Sequence, residues 1–302
     1  MSPIQKVIKY GAMAFAIALM VSILTVITTV VSGIDKGINW NGKIEYIDIN
    51  KEFDDVQNLD ITNYSGKMLI QVGDVEKIEV KAEKVPDTMV VQMLDGNTLY
   101  IADTESNMWF FNFNFLDNDR SEESRITVTL PIDFVAKRVN LDNNSGKMEL
   151  KGMYADRLII AGGSGNIIGS RLRAEDVDLS LGSGAFELDN VHLRNGDIDG
   201  GSGTINLTNS TLENIEFNLG SGDLHVEGNL TGDSELNGGS GDILVNLTDS
   251  LDNYQLELDA HSGGIWVDGE RRNDEDIRNE DADNKLKVES GSGRININFV
   301  EQ

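Results

Sequence analysis

Gly182-Ser-Gly-Ala-Phe-Glu-Leu-Asp-Asn-Val-His-Leu-Arg-Asn-Gly-Asp-Ile-Asp-Gly-Gly-Ser-Gly203 holds one full period of this chain. Its two Gly-Ser-Gly corners stand 19 residues apart, and the same serine recurs at Ser145, Ser164, Ser183, Ser202, Ser221 and Ser240. Looser Ser-Gly corners follow at Ser262 and Ser292. A fixed period near 20 residues is the signature of a stacked repeat. Three residues after each serine stand Met148, Ile167, Phe186, Ile205, Leu224 and Ile243; fifteen after stand Ile160, Leu179, Ile198, Phe217 and Leu236. Apolar residues two apart mark strands. Each period therefore predicts a short strand after the corner, a polar bend eight to eleven residues on, and a second strand before the next corner.

Nineteen residues at about 3.3 Å each close a coil about 60 Å around, which suits a flattened β-solenoid rung. One coil buries too little apolar surface to offset the entropy of ordering it, so the coils must stack. A fainter period overlies the first. Seventeen residues after each serine the series Gly162, Leu181, Gly200, Leu219, Gly238 alternates small and large, which predicts interior layers that interdigitate in pairs of coils.

Upstream, the alternation of Ile47 with Ile49, of Leu59 with Ile61, of Met68, Ile70 and Val72, and of Ile126, Val128 and Leu130 predicts further strands. Asp95-Gly96-Asn97 marks a hairpin between the strands suggested by Val91 with Met93 and by Leu99 with Ile101. Leu59-Asp-Ile-Thr-Asn-Tyr-Ser-Gly-Lys-Met68 reads like Val139-Asn-Leu-Asp-Asn-Asn-Ser-Gly-Lys-Met148, so this half holds early coils with antiparallel additions. Within it lies Trp109-Phe-Phe-Asn-Phe-Asn-Phe115, five aromatics in seven residues. As a strand it sets Trp109, Phe111, Phe113 and Phe115 on one face, which either caps the solenoid or contacts a partner.

Tyr10 to Val31 is a run of 22 uncharged, mostly apolar residues with Lys6 and Lys9 before it. At 1.5 Å per residue such a helix spans about 33 Å, enough to cross a bilayer, and the positive-inside rule puts the N-terminus in the cytoplasm. A cleaved signal peptide ending near Val31-Ser32-Gly33 is the rival reading. The expected layout is a cytoplasmic stub and transmembrane anchor over 1–33 and a linker over 34–43. A β region over 44–138 and the regular solenoid over 139–302 follow. The solenoid carries a charged loop at 269–285 and ends in a cap strand, Ser292-Gly-Arg-Ile-Asn-Ile-Asn-Phe299. The fold class is all-β: a single-stranded β-solenoid, or β-helix, of stacked 19-residue rungs, preceded by one N-terminal transmembrane helix.

The net charge of -26 argues against nucleic-acid binding and against adsorption to anionic lipid headgroups. With no cysteine there are no disulfides and no thiolate chemistry. The order Ile126-Thr-Val-Thr-Leu-Pro131, Asn144-Ser-Gly-Lys-Met148 and Gly239-Ser-Gly-Asp-Ile243 resembles the bacterial "putative adhesin" β-strand-repeat family, a domain of unknown function. That resemblance implies a stacked β architecture on secreted or membrane-anchored proteins, some linked to envelope-stress regulation. It offers no catalytic or ligand residues to carry over.

No cofactor, metal or catalytic residue is expected. Gly220-Ser-Gly-Asp223 and Gly239-Ser-Gly-Asp242 invite comparison with calcium-binding repeats, but the same position elsewhere holds Lys147, Asn166, Ala185 and Thr204. No Gly-Lys-Ser/Thr follows the corners as a phosphate loop requires. His192, His225 and His261 share no repeat position. Three functions remain open. One is a non-catalytic interaction or adhesion scaffold at the cell envelope. Another is a regulatory or sensing membrane protein whose outer domain binds an envelope protein or cell-wall component. The third is a carbohydrate-active β-helix enzyme.

Overall fold

The computed structural model describes residues 45–103, 124–260, 262–272, 275–277, 279 and 282–300. The apolar run 10–31 and the aromatic stretch 109–115 lie outside them. Among the described residues the only helical segment is the 3-10 turn Leu251–Asn253, and no helix is long and apolar enough to cross a membrane.

From Val135 to Leu247 the chain winds in parallel coils whose hydrogen-bonding register equals the sequence period, apart from a one-residue shift at Ser210–Glu213. Leu158 sits opposite Val177, Val177 opposite Gly196, and Gly196 opposite Ile215. On the other side of the coil Met148, Ile167, Phe186, Ile205, Leu224 and Ile243 stack in one buried column. Each coil therefore lends the next both a ladder of backbone hydrogen bonds and a wall of its core.

The bend comes earlier than the alternation suggests. Seven residues after the serine, Gly152, Arg171, Asn190 and Asn209 take left-handed backbone, with φ of 76°, 53°, 53° and 51°. That turn drops the eighth residue, Met153, Leu172, Val191 or Ser210, into the interior. The second strand then breaks its own alternation. In Val135–Asn143, Tyr154–Gly162 and Arg173–Leu181 two successive residues face outward, such as Lys137 with Arg138. A coil thus has three short sides rather than the two of a flattened rung.

The Gly/Leu alternation is a packing device. Gly162 pairs with Leu181, Leu181 with Gly200, and Gly200 with Leu219. A Cβ on Gly200 would lie 2.7 Å from Leu219 Cδ2 and 3.2 Å from Ile205 Cδ1. The leucine of one coil fills the space left by the glycine of its neighbour.

At both ends, order in space departs from order in the chain. Asn58–Asn63 and Lys67–Gly73 form a coil directly beneath Val135–Asn143 and Lys147–Lys151, with Leu59 opposite Val139 and Met68 opposite Met148. Thr98–Asp103 and Arg125–Pro131 form a further coil outside it. Antiparallel strands then cover that end: Met89–Leu94 lies on Thr98–Asp103, and Ile78–Pro86 on Arg125–Pro131. Tyr46–Phe53 lies in turn on Ile78–Pro86.

The C-terminal end corrects two expectations. The last strand, Arg294–Phe299, does not cap the stack; it inserts between Ile243–Leu247 and Gly264–Val267. Asn284–Ser290 likewise enters between Asp233–Gly238 and Tyr254–Ala260. The segment read as a charged loop supplies the edge instead. Glu270–Arg272 folds back antiparallel on Ile265–Val267, and Glu275–Ile277 on Leu256–Leu258. The physical reason is the open edge of the coil containing Tyr254–Val267. An open parallel edge invites pairing with another chain, and short charged strands blunt it better than the apolar Ile295 and Ile297 would.

Candidate interaction surface

The Gly-Ser-Gly corners are consumed by stacking. Ser183 N and Gly184 N both donate to Gly163 O, at 2.9 and 3.1 Å, and Ser202 N and Gly203 N both donate to Gly182 O, at 2.8 and 3.1 Å. A Cβ at Gly184 would collide with Gly165 O. These backbone donors point at the neighbouring coil, so the corners offer no cradle to an anion. The carboxylates beside two of them are also occupied: Asp223 Oδ1 accepts from Asp242 N at 2.9 Å, and Asp242 Oδ1 from Arg294 N at 3.1 Å. No group of three or more metal-ligating side chains occurs among the described residues.

Nearer the N-terminal end the same corner is braced by buried amides. Asn63 Nδ2 donates to Asn143 Oδ1 at 2.7 Å, and Asn143 Nδ2 to Gly146 O at 3.0 Å. His192 and His225 stand on different sides of the coil, and His225 Nε2 lies 3.4 Å from Asn246 Nδ2. The structure does not bring these two together. His261 and the aromatic candidates Trp109, Phe111, Phe113 and Phe115 fall outside the described residues.

Function then turns on what the outward columns present. On the longest side of the coil, Asp178, Asp197, Glu216 and Glu235 stack in register, and Lys287 continues the column. Partial burial raises the Asp197 carboxyl above its ordinary range, and Glu216, Asp199 and Asp178 add to the rise. Asp142 is raised likewise, first by burial and then by Asp60. Lys287 relieves the far end of the column through Glu235 at 2.7 Å and Glu289 at 2.8 Å.

The side between the left-handed bend and the second kink differs. In its upper coils Arg194 bridges Glu175 at 3.2 Å and Glu213 at 3.0 Å. Lower down, its outward column begins with Val135 and Tyr154, 58% and 43% exposed, and Ile132, 66% exposed, stands on the bend before them. Exposed Lys137, Arg138 and Arg157 flank these residues and form no ion pair with any described residue. Arg173 closes the group, its guanidinium 5.8 Å from the Tyr154 ring centroid. Sequence reasoning missed this patch. The signal was available in the recurrence of Val135, Tyr154 and Arg173 at intervals of 19, but only the fold shows that this column faces out.

A second aromatic-basic group closes the C-terminal end. Trp266 carries Arg294 at 4.7 Å and Arg271 at 5.6 Å from its ring centroid, an arrangement that fastens Glu270–Arg272 to the last coil.

The sequence profile of the Toastrack DUF4097 family matches residues 56–298. No curated protein matches the chain. Among solved structures, a "putative lipid binding protein" from Parabacteroides distasonis aligns with a TM-score of 0.50 at 19% identity, over 85% of this chain and 97% of that one. A "putative adhesin" from Bacteroides fragilis aligns over the same shares at 16% identity and a TM-score of 0.41. A "putative cell adhesion protein" from Clostridium sporogenes covers 85% of this chain with all of its own, at 13% identity and a TM-score of 0.23. The first likeness is one of fold.

Proposed function

The chain belongs to the Toastrack DUF4097 family, and from that premise we propose that it is a non-catalytic interaction scaffold of the cell envelope. In this reading residues 10–31 anchor it in the membrane with the N-terminus in the cytoplasm, and the solenoid outside presents its outward columns to an envelope protein or cell-wall component. The observation that carries the proposal is the division of labour within each coil. Corner donors and inward columns are committed to stacking, while the outward columns vary from coil to coil in charge and polarity. Such a surface can recognise a partner along its length and assembles no nucleophile, base or metal from the described residues. The solved structure of similar fold described as a lipid-binding protein accords with a binding role.

Capture of the full chain from solubilised envelopes tests this reading, with Trp109, Phe111, Phe113 and Phe115 replaced by Ser in a parallel sample. The expected result is enrichment of an envelope protein or glycan with the unaltered chain and its loss with the variant. Recovery of the chain in the soluble fraction with nothing enriched would contradict both the anchor and the scaffold.

A further inference from the structure

We infer that the patch formed by Ile132, Val135 and Tyr154 with Lys137, Arg138 and Arg157 is a contact surface for anionic phospholipid headgroups, and that it lays the solenoid against the membrane that tethers it. The inference rests on the anchored reading above.

Charge is the first support. Over residues 131–173 seven basic residues face four acidic ones, in a chain whose net charge is -26. One of those acids, Glu149, is held by Lys147 at 2.9 Å and Lys151 at 3.0 Å. Lys137, Arg138 and Arg157 keep their charge unpaired among the described residues and exposed. The stacked acids Asp178, Asp197 and Glu216 begin one coil later than Arg157, which stands beside Asp176 of that coil. At physiological salt their repulsion is screened beyond about 8 Å. A molecule that as a whole is repelled by anionic lipid thus carries one face that is attracted to it.

The apolar centre is the second support. Ile132 and Val135 expose 66% and 58% of their surface, and Val135 stands beside Tyr154 of the next coil. Aliphatic tips and a tyrosine ring amid long basic side chains are the composition of a membrane interface, where the stems bury and the charges meet phosphate. Three apolar side chains are few for a stable protein interface, which buries about 800 Å² per partner. They suffice for a surface that never diffuses away. Residues 32–45 separate the apolar run from the first strand, and extended they reach about 45 Å. The tether raises the effective concentration of lipid at the patch, so a weak contact is enough.

The absence of cysteine makes the test direct. The full chain, carrying Val135→Cys or, as control, Glu187→Cys, is labelled with an environment-sensitive fluorophore. It is then reconstituted in vesicles of phosphatidylcholine with or without phosphatidylglycerol. With phosphatidylglycerol present, the probe at 135 is expected to shift to the blue and to be quenched several-fold more by headgroup-borne quencher than the probe at 187. High salt, or Arg138→Glu with Arg157→Glu, is expected to remove the difference, while unchanged melting shows that the variant is folded. Chains that float with the vesicles but respond equally at both positions would overturn the docking and leave the anchor standing. Chains that fail to float would contradict both. A response at 135 that needs added envelope protein, and no lipid, would assign the patch to a protein partner and overturn the inference.

Discussion

Gly200 and Leu219 form one packing unit although 19 positions separate them, because the coil register places them side by side. Leucine at 200 would meet Leu219 and Ile205 within van der Waals distance before its own branches were placed. Gly200→Leu is therefore expected to cost about 1–3 kcal/mol, the usual range for overpacking, and an unchanged melting temperature would refute the interdigitated core. Asp197 makes a second residue-scale case. Its carboxyl is raised in the folded protein by burial, then by Glu216, Asp199 and Asp178. A group that holds its proton more tightly when folded makes stability fall as pH rises from the ordinary carboxylate range through the raised value. Asp197→Asn should accordingly raise the melting temperature at neutral pH, with the gain vanishing as pH drops into the range where an ordinary aspartate is protonated. A gain that grew on acidification would contradict the assigned cause.

The strands that close the stack matter more than their length suggests. Glu270–Arg272 and Glu275–Ile277 run against the direction of the coils and so end the parallel ladder. Replacing Arg271 and Arg272 with valine leaves the pairing possible but removes the charge from the edge. The expected outcome is concentration-dependent self-association of the variant in sedimentation; a variant that sediments like the unaltered chain would show that charge does not guard this edge. The coils themselves were legible because period, corner and inward column all repeat. The early coil was legible because Leu59 to Met68 echoes Val139 to Met148, and the structure pairs those residues in register. The ends were not. Local pattern carries no information on which coil a strand joins, so the insertion of Arg294–Phe299 could not be read from it. One local cue was overlooked: Asp268 and Gly269 turn with φ of 49° and 78°, the Asp-Gly signature of a tight hairpin. The exposed patch was illegible for another reason. Its apolar residues differ from core residues only in which way their column faces, and that depends on bends which residues as different as Gly152 and Arg171 form.

At the largest scale, the described coils form a stack in which Gly162, Leu181, Gly200 and Leu219 alternate small and large in pairs, and the outward columns are carried on that frame. The claim can be put to the chain directly by adding units. Duplicating residues 164–201 inserts two whole coils and preserves the Gly/Leu alternation. Duplicating residues 173–201 inserts one coil and ten further residues, which sets the second strand of a coil directly after a corner with no first strand between them. Thermal melting of the two proteins is the decisive measurement. A stacked solenoid predicts that the first keeps a cooperative transition near that of the unaltered chain and that the second loses it. Equal tolerance of both insertions, or equal collapse, would contradict the account.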